Sequence, residues 1–92
     1  MEVTTLQDLE RICTLEGVQE KRAAGVLTDI IAYSAPARNP AYAGGESLIL
    51  KILTPRGQHI ATWHEIRMPD GSIPHSHPKD YTRRDCSRVR AG

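Results

Sequence analysis

Phenylalanine is absent from this chain of 92 residues, and the large rings reduce to Trp63, Tyr33, Tyr42 and Tyr81. Leu, Ile and Val therefore have to fill whatever core the chain builds. No apolar run approaches the ~20 residues that a membrane-spanning helix needs. The first residues, MEVTTLQDLE, are acidic and polar where an export signal is basic and then apolar. These two absences read as a cytoplasmic chain. Cysteine is scarce as well. Cys13 falls in a helical pattern and Cys86 in a polar stretch far from it. In a reducing compartment that spacing reads as one buried and one exposed thiol, not a disulfide. There is no Cys-x-x-Cys, no His-Glu-x-x-His, no helix-turn-helix pattern and no internal repeat. No motif therefore names a reaction.

What is present is a globular composition, 39% hydrophobic and 25% charged, too apolar for a disordered chain and too polar for a membrane one. At this length it makes a single domain, residues 1–92. A chain this small packs one layer of helix on one sheet but has no volume left for a deep pocket, which favours a surface-acting protein over an enzyme with an internal substrate site. The formal net charge of +1 hides a gradient. Residues 1–20 hold Glu2, Asp8, Glu10, Glu16 and Glu20 against Arg11 alone. Residues 79–92 hold Lys79, Arg83, Arg84, Arg88 and Arg90 against Asp80 and Asp85. Such polarity bears on association more than on fold.

Along the chain, Thr4-Thr5-Leu6-Gln7-Asp8 reads as a helix start, with a Thr cap and a capping-box partner. Leu6, Leu9, Ile12 and Cys13 recur at helical spacing, Leu15 lies at the edge of that stripe, and Gly17 can end the helix. Residues 18–25 extend this helix or form a second one. Residues 26–33, VLTDIIAY, fit either a helical stripe or a strand, and their β-branched content favours the strand. The Pro-, Gly- and Ala-rich stretch 34–45 reads as a long loop. Residues 47–54 form a strand, Pro55-Arg56-Gly57-Gln58 a turn, and residues 59–68 the returning strand, whose uneven alternation predicts a bulge. Pro69-Asp70-Gly71-Ser72 makes a second turn. Beyond it, Pro74 and Pro78 limit any further strand to a short edge. The expected architecture is α+β, with one or two N-terminal helices packed on a small antiparallel β-meander. Residues 1–25 are helical, 26–74 form the sheet with its loop at 34–45, and 75–92 form a basic C-terminal segment.

Two constellations in that last segment compete. In Pro74-His75-Ser76-His77-Pro78 the two histidines sit at i and i+2, which places them on one side of an extended segment. That is half of a metal site, which Cys86, His64, Glu65 or Asp80 would complete. The same groups, with His64 and Glu65 on a strand and Arg83 or Arg84 as a phosphate clamp, sketch a metal-dependent hydrolase or nuclease-like toxin. The plain alternative is a pair of solvated histidines in a Pro-rich loop. The second constellation is KDYTRRDCSRVR. Lys79, Arg83, Arg84 and Arg88, with Tyr81 beside them and Arg38 from the long loop, are the expected binding residues for phosphates or an acidic protein face. Its plain alternative is a solvated tail. No pairing of aromatics like that of an RNA-recognition sheet is present, so base-specific reading is not expected. The acidic helix is most simply a solvated face; its functional alternative is a mimic of nucleic-acid charge.

In its size, its whole-chain α+β layout and its charged surface without a catalytic motif, the chain resembles the small single-domain inhibitors encoded by phages and mobile elements, the anti-CRISPR proteins among them. The resemblance lies in this profile and in no residue string, so no position carries over. It implies a non-catalytic inhibitor that binds a protein or ribonucleoprotein complex and blocks guide or target engagement, with contacts to effector subunits and to the RNA backbone. This reading needs no cofactor, no metal, no membrane and no small-molecule substrate.

Overall fold

The computed structural model describes residues Met1–Gly92. The chain runs β1 (Glu2–Thr4), α1 (Leu6–Leu15), α2 (Val18–Ala23), β2 (Thr28–Pro36), a 3-10 turn (Pro40–Tyr42), β3 (Glu46–Leu53), β4 (His59–Arg67), β5 (His75–Thr82) and β6 (Arg88–Ala91). The strands form one six-stranded sheet in the order β1-β6-β5-β4-β3-β2. β2 through β6 are an antiparallel meander, and β1 closes its far edge by pairing parallel to β6. The expected α+β class with N-terminal helices on an antiparallel meander is what the chain adopts.

The helices connect β1 at one edge to β2 at the other, so they cross one face of the sheet. Thr5 caps α1, its hydroxyl accepting from the Asp8 amide. The Asp8 carboxylate in turn accepts from Thr4 Oγ1 at 2.8 Å. Gly17, at φ 68°, supplies the left-handed residue that separates α1 from α2. Leu9 and Cys13 of α1 and Val18 of α2 meet Leu48, Leu50, Ile52, Ala61, Trp63, Tyr81 and Val89 from the sheet in one core. Leu15, at the edge of the helical stripe, is exposed. Because strand side chains alternate, the neighbours of these core residues point the other way, onto a face that neither helix covers.

Three expectations need correction. The supposed loop at 34–45 is shorter, because β2 continues through Pro36 against β3 and the remainder carries the 3-10 turn. Residues 75–92 are not a tail: they form two strands. β5 lies inside the sheet, with Pro78 buried opposite Trp63. The register shifts here, so that Lys79 is the extra residue of a bulge, and a bulge is where a strand tolerates a residue with no N–H to donate. β6 pairs only with Asp80, Tyr81 and Thr82, so Pro78 faces no ladder on that side. Finally, residues 1–25 are not wholly helical, because Glu2–Thr4 form β1. Three residues with no alternation to speak of become a strand only because β6 offers an edge. No helix is long and apolar enough to cross a membrane.

Candidate functional site

The uncovered face of the sheet collects the histidines. On β4, Trp63 and Glu65 turn toward the helices, so His64 between them turns away. On β5, His75 and His77 lie two residues apart on that same face. His64 pairs directly with His77, and Ile66 with His75. Ring centroids are 5.0 Å apart for His64 and His75, 5.2 Å for His64 and His77, and 4.6 Å for His75 and His77. One ring nitrogen from each lies within 4.8 Å of the other two. Of the groups expected to complete the His75/His77 pair, His64 is the one that does so.

The others are elsewhere. Glu65 is buried on the covered face, where its carboxylate accepts from Arg22 Nη1 at 3.0 Å, Arg67 Nη2 at 3.0 Å and Ser76 Oγ at 2.9 Å. Ser76 in turn accepts from Trp63 Nε1 at 2.8 Å. Burial acts to raise the Glu65 carboxyl, but the bonds from Arg22 and Ser76 and the Arg22 charge outweigh it and hold it below its ordinary value. Asp80 pairs with Arg88 at 3.0 Å, and its Oδ1 is buried with no partner. Cys86 stands in the turn between β5 and β6. Glu65 therefore cannot act with His64 as the nuclease-like arrangement required, because adjacent strand residues face opposite sides.

Hydrogen bonds orient the triad. Ser47 Oγ, from β3, lies 2.8 Å from His64 Nε2. His77 Nδ1 is 3.2 Å from the Pro78 carbonyl, which can only accept, so Nδ1 carries the proton and Nε2 presents a lone pair when the ring is neutral. His64 Nδ1 and His77 Nε2 face each other at 3.3 Å. Burial and then the neighbouring His77 and His75 rings lower the His64 value, and burial followed by His77 lowers that of His75. Both rings are therefore biased toward the neutral form relative to a free imidazole.

The expected binding residues are dispersed. Tyr81 is 6% exposed within the core, so it packs the sheet and does not present a ring to a partner. Arg83 pairs with Glu2 at 3.4 Å, and Arg88 with Asp80. Lys79 and Arg84 are exposed and make no ion pair. Arg38 is exposed as well, but it follows β2 at the edge opposite β6, so it shares no patch with the C-terminal bases. Two bases that sequence reasoning passed over stand on the uncovered face: Lys51 between buried Leu50 and Ile52, and Arg90 beside buried Val89. For Arg90 the signal was the period-two alternation of Arg88, Val89 and Arg90; for Lys51 it was a single charge inside a nearly continuous apolar run. Together with Arg88 they give that face three bases against Asp80, while the exposed acids Glu10, Glu16 and Glu20 lie on the helices. The charge gradient along the chain has become a gradient across the sheet. Compared with known proteins, the chain matches no family model, no curated protein and no solved structure.

Proposed function

We propose that this chain is a non-catalytic binding protein that works by occupying a surface of a larger ribonucleoprotein complex, with the uncovered sheet face as its contact. The segregation of charge carries this reading. Lys51, Arg88 and Arg90 stand on a rigid strand surface, with Lys79 at its bulge, while the acids face away on the helices. A basic face of this kind meets phosphates or a phosphate-lined groove, and the opposed acidic face biases its orientation on approach. Tyr33 and Ile30 flank the bases on β2, opposite Ile49 and Lys51 of the same face, and are 60% and 48% exposed. Apolar surface beside the charges suits a mixed protein and RNA contact. An inhibitor of the anti-CRISPR type would use such a surface to block guide or target engagement.

The test is affinity capture from the native host, with and without nuclease, comparing the natural chain with Lys51→Glu/Arg90→Glu and with Glu10→Lys/Glu16→Lys. Both pairs are exposed, so circular dichroism should not change. Reversal on the sheet face should abolish capture of a nuclease-sensitive complex, and reversal on the helices should leave it intact. Retention of the complex by the sheet-face variant would overturn the proposal.

A further inference from the structure

We propose that His64, His75 and His77 form a binding site for a divalent transition metal of the zinc class on the uncovered sheet face. This goes beyond surface occupation and does not depend on it.

The geometry is the first support. A tetrahedral zinc with Zn–N bonds of about 2.0–2.1 Å sets its nitrogen ligands roughly 3.3–3.4 Å apart. His64 Nδ1 and His77 Nε2 stand at 3.3 Å. The third ligand atom, on His75, lies within 4.8 Å of the others. The His75 side chain has no hydrogen-bond partner and is half-buried at the start of β5, so rotation of that side chain closes the remaining gap. The three backbone positions are fixed by the β4–β5 pairing, which removes most of the ordering cost of assembling a site.

Lone pairs are the second support. The Pro78 carbonyl takes the His77 Nδ1 proton, which directs the Nε2 lone pair toward His64. Ser47 holds His64 through Nε2 and leaves Nδ1 facing His77. Partners of this kind on the distal nitrogen commonly orient metal-bound imidazoles. Without a metal, one proton on His64 Nδ1 satisfies the 3.3 Å contact as a hydrogen bond to His77 Nε2. On binding, that proton moves to His64 Nε2, where it is donated to Ser47 Oγ, and Nδ1 takes the ion. Neutral imidazole is the ligating form.

The donor set selects the ion. Three imidazoles with no carboxylate or thiolate suit zinc, copper, nickel and cobalt, and offer nothing to calcium or magnesium, which require oxygen ligands. Three protein ligands leave a fourth position, and on this face it opens to solvent, where water or a group from a bound partner completes the shell.

The experiment is calorimetric titration of the chelator-treated full-length protein with zinc chloride at pH 7.5, together with the visible spectrum of the cobalt form. The expected result is one ion per chain and a tetrahedral cobalt spectrum. His75→Ala and His77→Ala should each weaken zinc binding by at least about 10-fold, the scale on which even outer-shell changes act. His59→Ala, on the same strand as His64 but outside the triad, and Cys86→Ser, which removes the exposed thiol, should bind as the natural chain does. Circular dichroism of each variant confirms folding. Absence of saturable zinc binding would overturn the proposal. So would full affinity in folded His75→Ala and His77→Ala proteins, or loss of the site in His59→Ala or Cys86→Ser.

Discussion

Arg22 is the residue on which the covered face turns. From α2 its guanidinium reaches Glu65 at 3.0 Å and Asp29 at 2.7 Å, and lies 5.4 Å from the centre of the Trp63 ring. Its side chain is 10% exposed and that of Glu65 is 3% exposed, so neither ion is left to water. Removing Arg22 leaves the buried Glu65 carboxylate with Arg67 and Ser76 alone, at a cost of about 2–3 kcal/mol, below that of a fully unpaired buried charge. Arg22→Ala should therefore lower the urea midpoint sharply. Arg11→Ala, which breaks the solvent-facing pair with Asp8, should shift stability by less than about 1 kcal/mol. Equal effects from the two would show that the Glu65 network is not the anchor of α2. None of this was legible in the sequence, where Arg22 is one base in a helix-compatible run and Glu65 a candidate ligand. The pairing joins residues 43 positions apart, and only the closing of the helices over the sheet brings them together.

At the scale of elements, three of the four hairpin connections of the meander, those after β3, β4 and β5, obey one rule. Gly57 donates to Thr54 O at 2.8 Å, Gly71 to Met68 O at 2.9 Å and Cys86 to Arg83 O at 2.9 Å. In each turn the strand amide before the loop donates back at 2.9 Å, to the carbonyl of Gln58, Ser72 and Ser87 respectively. The residue at the fourth position has positive φ in all three: 82° at Gly57, 87° at Gly71 and 68° at Cys86. The first two turns were readable because glycine marks them. The third was hidden because a cysteine occupies the glycine position. Its remaining signal is Asp85-Cys86-Ser87, which copies Asp70-Gly71-Ser72: each Asp accepts from the amide and hydroxyl of the Ser two residues on. A side chain in this left-handed conformation costs about 1–2 kcal/mol. Cys86→Gly should therefore stabilise the chain by about 1 kcal/mol, measured by urea denaturation. A destabilised variant would mean that the Cys86 side chain contributes contacts that outweigh the strain.

At the scale of the whole molecule, one covered face and one uncovered face make stability depend on pH through the histidines. In the unfolded chain His64 and His75 take up protons at their ordinary value of 6.5, whereas folding lowers both. The unfolded state thus binds more protons as pH falls below 6.5, and proton uptake there favours unfolding. Their contribution is complete above pH 6.5 and is lost as pH drops through the folded values. With chelator present, Tm should fall between pH 7.5 and pH 5.5, and His64→Gln/His75→Gln should flatten that fall. An unchanged slope in the variant would assign the effect to other groups. The lowered value of Glu65 acts in a separate window: its stabilisation holds above its ordinary 4.5 and is lost as pH falls through the lower folded value.

The sequence alone determined the layering of this protein. Helical spacing of Leu9, Ile12 and Cys13, the nearly continuous apolar run around Leu48, Leu50 and Ile52, and glycine at two turns are local signals, because backbone propensity and side-chain periodicity act over a few residues. It also located two members of the triad, since His75 and His77 share a side on any extended segment. Tertiary structure decided the rest. Pro78 limits a strand by local rules, yet the bulge at Lys79 accommodates it inside the sheet. Tyr81, a binding residue beside the bases by sequence, lies opposite Ala61 and so belongs to the core. His64 joined His75 and His77, and Glu65 left them, because the β4–β5 register sets which residues meet and a shift of one residue reverses every face. Register depends on how two strands pair across their turn, and the periodicity of neither strand alone encodes it.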